Sequence, residues 1–159
     1  MIEESVAPVR VSVTVRRPQA EVFRTFTHAM GSWWPLATHS IAADTFEGKV
    51  SVLKLVFEGR VGGRIYERMS DGREGDWGMV LVWDPPARVI FSWKPTLKPD
   101  APTEVEVRFV PEGSETRVEL EHRGWERLGD AGRELRRGYE TGWPGVLARF
   151  AAYLDDQDA

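Results

Sequence analysis

The sequence predicts an α+β fold: an antiparallel sheet of about six or seven strands wrapped around a long C-terminal helix, with short helices after the first strand. Three observations predict it. Apolar and polar residues alternate with a period of two in a series of short segments separated by turn residues, the signature of hairpin-linked strands. Two other stretches, one near the N terminus and a longer one at the C terminus, place apolar residues every three or four positions, the helical period. No repeat, linker or low-complexity tract divides the chain, and 159 residues fit the range of about 100–200 residues for one domain. One domain is therefore expected over 1–159, with its core at about 9–154.

Each element follows from its residues. Val9, Val11, Val13 and Val15 alternate with Arg10, Ser12 and Thr14, making a half-buried strand. Pro18 opens a helix over 18–30, because its missing N–H is a donor the first turn leaves unpaired anyway. Val22, Phe23, Phe26 and Met30 form that helix's apolar stripe, and Gly31 stops it. Ser32-Trp33-Trp34-Pro35 reads as a short helical turn cut off by proline, and 36–48, without sustained periodicity, as a structured loop. Residues 50–58 form a strand that is largely apolar on both faces; Gly62-Gly63 breaks it and 64–68 resume. Ser70-Asp71-Gly72-Arg73 turns the chain into a strand over 77–83, which Asp84-Pro85-Pro86 closes before another at 89–93. After a loop at 95–102, Val105, Val107 and Phe109 mark one strand. A turn at 111–114 leads to the next, where His122 shares the apolar face of Val118 and Leu120. Over 130–154 the residues Leu135, Tyr139, Trp143, Val146, Leu147, Phe150 and Leu154 draw one stripe on a long helix. Pro144 inside it, beside Gly142 and Gly145, predicts a kink or a break.

Composition narrows the function. There is no cysteine, which excludes disulfides, thiolate nucleophiles and Cys-based metal sites. Twenty-one basic against 25 acidic residues give a net charge of -4, so no overall field draws the chain to nucleic acid or to anionic lipid. No apolar run is long enough for a membrane span. Residues 1–8, with Glu3 and Glu4, lack the apolar stretch of a signal peptide, so a cytoplasmic location is expected. Arginine outnumbers lysine 17 to 4, an association with bacterial genomes of high GC content. No phosphate-binding loop, dinucleotide fingerprint, nucleophile elbow or zinc helix occurs, and three scattered histidines have no ligand spacing. No cofactor, metal or catalytic residue is assigned. What stands out is seven tryptophans, two of them adjacent, which either thicken a core or line a cavity.

Several motifs occur together in a specific order: Pro18 with Ala20-Glu21-Val22-Phe23, Trp33-Trp34-Pro35, the run Glu58-Gly59-Arg60-Val61-Gly62-Gly63-Arg64-Ile65-Tyr66-Glu67, Asp84-Pro85-Pro86 with Val89-Ile90-Phe91-Ser92-Trp93, and His122-Arg123-Gly124-Trp125 before Gly142-Trp143. In this order the chain resembles the SRPBCC (START-like) superfamily. Within it, the chain is similar to the subgroup homologous to the C-terminal domain of the activator of the heat-shock-protein-90 ATPase. The resemblance implies the helix-grip fold, a strongly curved sheet folded around the C-terminal helix with a cavity between them. It also implies binding of a hydrophobic or amphipathic small molecule there; some branches cyclise or hydrolyse such molecules. The eukaryotic chaperone activator adds a chaperone-binding domain for which this chain has no room, so a chaperone-associated role is expected only as a second alternative, alongside other protein-interaction modules.

In a helix-grip protein Trp33, Trp34 and His39 fall near the cavity mouth. Phe57, Tyr66, Trp77, Met79, Trp93, Phe109 and His122 come from the strands, and Tyr139 and Trp143 from the last helix; together these twelve form the expected lining. The alternative for each tryptophan is core packing, and for His122 a buried imidazole bonded to a polar neighbour. Glu58, Glu67 and Asp76 bracket the Gly62-Gly63 corner, where an inward carboxylate suits acid–base work and an outward one pairs with Arg60, Arg64 or Arg68. The leading expectation is a cavity for a hydrophobic or aromatic small molecule. A cyclase or hydrolase, which needs a carboxylate within hydrogen-bond reach of a histidine, and a protein-interaction module, which needs an exposed apolar patch, are the alternatives.

Overall fold

A computed structural model describes residues 6–45, 49–94 and 102–157. In chain order the elements are β1 (Val9–Val15), α1 (Gln19–Thr27), α2 (Met30–Trp33), α3 (Ile41–Thr45), β2 (Val52–Phe57), β3 (Arg64–Met69), β4 (Glu74–Asp84), β5 (Arg88–Trp93), β6 (Thr103–Glu112), β7 (Glu115–Arg123), a 3-10 turn (Trp125–Leu128) and α4 (Asp130–Asp156). The architecture is the expected one, a seven-stranded antiparallel half-barrel around a long C-terminal helix. Most of the loop expected at 95–102, residues 46–48 and the first five residues lie outside the described residues. Among the described residues no helix is long and apolar enough to cross a membrane.

The sheet order is β1-β7-β6-β5-β4-β3-β2. Strands β2 to β7 follow one another as a meander, and β1 closes onto the last of them. The period-two pattern sets the register: Val13 lies opposite Val118, and Leu120 lies between Val11 and Val107. A one-residue slip would turn the valines to solvent. Irregularities at Val52/Lys54, Ile65/Tyr66 and Val80/Val82 interrupt the β2, β3 and β4 pairings, and such bulges bend a sheet around what it encloses. On the outer face Arg123 reaches Glu104, Glu106 and Glu121 at 2.6–2.8 Å, tying β6 to β7.

The concave face buries Phe91, Val105, Val107, Val118 and Leu120 against Val146, Leu147 and Phe150 of α4. Phe26 of α1 wedges between Trp33, Phe109 and Phe150, with ring centroids 5.1–5.8 Å apart. Three arginines fasten α4 to the N-terminal third through backbone carbonyls: Arg17 donates to Leu154, Arg136 to Ala7 and Pro8, and Arg149 to Trp33.

The structure corrects two expectations, the break at Pro144 and the loop at 36–48, and adds one element. α4 runs unbroken through Pro144. Pro144 and Glu140, whose carbonyl loses its helical partner, are both exposed, on the solvent side of the helix, while the buried stripe continues. The stretch read as an irregular loop contains α3. Finally, a 3-10 turn precedes α4, where Gly132 lets the two elements touch: a Cβ there would lie 2.0 Å from the Trp125 carbonyl oxygen.

Candidate functional site

A cavity of about 730 Å³ lies between α4 and the segment that follows α2. One wall is α4, with Ala131, Glu134, Leu135, Gly138, Tyr139, Gly142, Trp143 and Val146. The opposite wall is Trp34, Thr38, His39, Ser40 and Asp44 of α3, and Trp93 at the end of β5 joins them. The helical period explains the α4 wall, since Leu135, Tyr139, Trp143 and Val146 recur every three or four residues on one stripe. Gly138 and Gly142 sit on that same wall, and a Cβ added at either would meet nothing within 4 Å. They leave room rather than tighten packing.

The indole N–H groups around the cavity already have acceptors. Trp34 donates to the His39 carbonyl at 2.7 Å, Trp143 to His122 Nδ1 at 2.9 Å, and Trp93 to the Tyr139 hydroxyl oxygen at 3.1 Å. These three therefore offer the cavity apolar ring faces. Polar contact is left to Tyr139, His39, Thr38, Ser40, Asp44 and Glu134.

His122 stands behind this wall, fully buried. Since Trp143 donates to Nδ1, the imidazole proton sits on Nε2 and donates to Thr103 Oγ1 at 2.6 Å; Thr103 in turn donates to the Trp93 carbonyl. Burial among apolar rings pushes the imidazole pKa down to about 3, so the ring is neutral. Trp125, 4.1 Å away centre to centre, donates to the His122 carbonyl and covers its other side. For Tyr139, burial and, more weakly, the nearby Asp44 charge push the phenol up to about 12, while the Trp93 hydrogen bond acts the other way.

A second buried polar group shapes the site without lining it. Glu67 on β3 is fully buried and accepts from the backbone N–H groups of Ile41 (2.6 Å) and Ala42 (3.1 Å) and from Trp77 Nε1 (2.7 Å). It holds the start of α3, and so Asp44, against the sheet. The other two carboxylates of the Gly62-Gly63 corner face outward. Glu58 bonds the Arg64 backbone N–H and lies 3.5 Å from Arg60, and Asp76 pairs with Arg64 at 2.7 Å.

Of the twelve expected lining residues, Trp34, His39, Trp93, Tyr139 and Trp143 border the cavity. Trp77 backs Trp34 and Trp93 at 5.4 and 5.7 Å, and His122 backs Trp143. The rest lie elsewhere. Trp33 is buried against Phe26 and Phe150, with its N–H on the Thr25 carbonyl. Phe57 packs on Trp83 and Phe91, and Phe109 on Phe23 and Phe26. Tyr66 lies under the Arg64 guanidinium, and Met79 is 46% exposed on β4. Sequence reasoning missed Asp44, Glu134, Gly138 and Gly142. The glycines had a readable signal: two such residues one turn apart in a helix, each costing ~1 kcal/mol relative to alanine, call for a reason. His39 Nδ1 is bonded to the Thr38 hydroxyl at 2.7 Å, not to a carboxylate.

With this geometry in hand, comparison with known proteins is direct. CalC from Micromonospora echinospora, described as a self-sacrificing resistance protein, is 31% identical over 95% of this chain and 96% of its own, with a TM-score of 0.70. Txn09, described as an anthrahydroquino-gamma-pyrone synthase, is 38% identical over 95% of this chain and 99% of its own, with a TM-score of 0.62. MLL2253 from Mesorhizobium loti, at 20% identity over 94% and 99% of the two chains and a TM-score of 0.66, shares the fold. No curated protein sequence matches the chain. The model of the activator of Hsp90 ATPase homolog 1-like proteins matches residues 16–155. A match over that span, on a half-barrel closed around its last helix, makes the chain a member of the activator of Hsp90 ATPase homolog 1-like family.

Proposed function

We propose that the protein binds a hydrophobic, aromatic small molecule in the cavity between α4 and the Trp34–Asp44 wall. The observation that carries this reading is an aromatic cavity of about 730 Å³, within the range of ~300–1,000 Å³ common for small-molecule sites. Its indoles present ring faces, and its helix carries glycines where side chains would intrude. A relative 38% identical over nearly the whole chain is described as a synthase of an aromatic pyrone, which supports a ligand of that size and character. A panel of bi- and tricyclic aromatics, titrated against tryptophan fluorescence, tests it. Saturable quenching is expected, and Gly142→Trp, which fills the cavity from the helix side, should abolish it. No quenching by any compound, or quenching indifferent to Gly142→Trp, overturns the reading.

The same relative favours a second reading, cyclisation of the bound molecule. His39 and Asp44 border the cavity and would be the acid–base groups. Binding ranks first because the histidine is engaged by Thr38 rather than paired with a carboxylate. Conversion of a bound polyketide-like substrate by the wild type and not by Asp44→Asn would reverse that order.

A further inference from the structure

The donors around the cavity run in one direction. Trp143 Nε1–H donates to His122, His122 Nε2–H to Thr103, and the Thr103 hydroxyl to the Trp93 carbonyl. The indole of that same Trp93 donates to the Tyr139 hydroxyl oxygen. Tyr139 holds the last proton of the series, and among the described residues no acceptor takes it. Its hydroxyl sits where two cavity residues meet, bonded to Trp93 and close enough to Asp44 to feel its charge. Donation by the indole into the phenol oxygen polarises the O–H and strengthens it as a donor.

We propose that the Tyr139 hydroxyl is the polar recognition point of the cavity and donates to a carbonyl oxygen on a planar, uncharged polycyclic ligand. This rests on the small-molecule reading above and gives it a chemistry. The acceptor is a neutral oxygen because Asp44 and Glu134 border the cavity, and a carboxylate or phosphate there would meet like charge. The ligand is planar because Gly138 and Gly142, one turn apart on α4, leave an unobstructed strip of helix beside Tyr139 in a cavity that the indoles of Trp93 and Trp143 also line.

The matched pair 9-fluorenone and fluorene, one skeleton with and without a carbonyl, isolates the hydrogen bond. Wild-type protein should bind fluorenone about tenfold more tightly than fluorene, the value of one added hydrogen bond of ~1.4 kcal/mol. Tyr139→Phe should abolish the preference for fluorenone over fluorene. The infrared carbonyl stretch of fluorenone bound to the wild type should move to lower wavenumber than in hydrocarbon solvent, a readout that needs no variant. Equal binding of the pair by the wild type, an unshifted carbonyl, or a preference that survives Tyr139→Phe overturns the proposal while the cavity reading stands. If neither compound binds the wild type, the cavity reading falls and this proposal falls with it.

Discussion

His122 carries no charge in the fold because both ring nitrogens are committed to neutral partners and water is excluded around it. A histidine held far below its ordinary pKa of about 6.5 loses stability as the pH falls. The unfolded chain takes up a proton below about pH 6.5 while the folded chain refuses it until about pH 3. Between pH 7 and pH 5 this should cost about 2 kcal/mol, seen as a falling urea midpoint. In His122→Ala that slope should vanish, and an equal slope in the variant would assign it to another group. Glu67 is the other residue whose position matters more than its chemistry. Glu67→Ala leaves three buried donors without an acceptor, at ~1–3 kcal/mol each. Urea unfolding should show a loss of at least about 3 kcal/mol, and ligand affinity should fall as well because α3 carries Asp44. A loss of stability with unchanged affinity would show that α3 stays in place without its anchor.

Among the elements, α4 divides its work between holding and giving way. Its buried stripe and three arginine clamps secure the fold, while Gly138 and Gly142 sit in open space and add nothing to packing. Gly142→Ala should therefore raise stability by ~0.5–1 kcal/mol through helix propensity and weaken aromatic ligands, a pairing that thermal melts and fluorescence titrations read separately. A gain in stability with no loss of binding would place the ligand away from this face. The same helix shows what was legible in the sequence. Its stripe from Leu135 to Leu154 could be read from spacing, as could the alternation of β1, β6 and β7, because each pattern repeats over many residues. α3 could not: five residues are little more than one turn, and what holds them is Glu67, some 25 residues further along the chain. The break expected at Pro144, the alternative to a kink, is absent for the converse reason, since the cost of a proline depends on whether the freed carbonyl faces water, which only the packed helix decides.

At the scale of the whole molecule, a half-barrel closed on one helix buries a continuous core at one end and leaves a cavity at the other. Phe26, Phe109, Phe150 and Trp33 fill the first, and Trp34, Trp93, Tyr139 and Trp143 border the second. Sequence spacing placed Phe26, Phe109, Tyr139, Trp143 and Phe150 on inward faces, and the family resemblance placed Trp33, Trp34 and Trp93, but neither said which end each occupied. Trp33 and Trp34 are neighbours in the chain and part company there. Because the cavity is joined to the fold through α4 and α3, an occupant should stabilise the whole. A ligand at 100 times its dissociation constant adds ~2.7 kcal/mol, which for a chain of this size raises Tm by roughly 5–10 °C. A bound ligand that leaves Tm unmoved would indicate a surface site instead.

The clustered indoles have an optical consequence. Trp34 lies 5.4–5.7 Å from Trp77, Trp93 and Trp143, and Trp93 lies 5.7 and 5.6 Å from Trp77 and Trp143. Chromophores this close share their excited states, so light absorbed by any of the four migrates among them and emerges from whichever has the lowest energy. Near-ultraviolet circular dichroism of the folded chain should carry the split bands of coupled transitions. A guest touching one indole would change the emission of all four, making the protein its own reporter of occupancy.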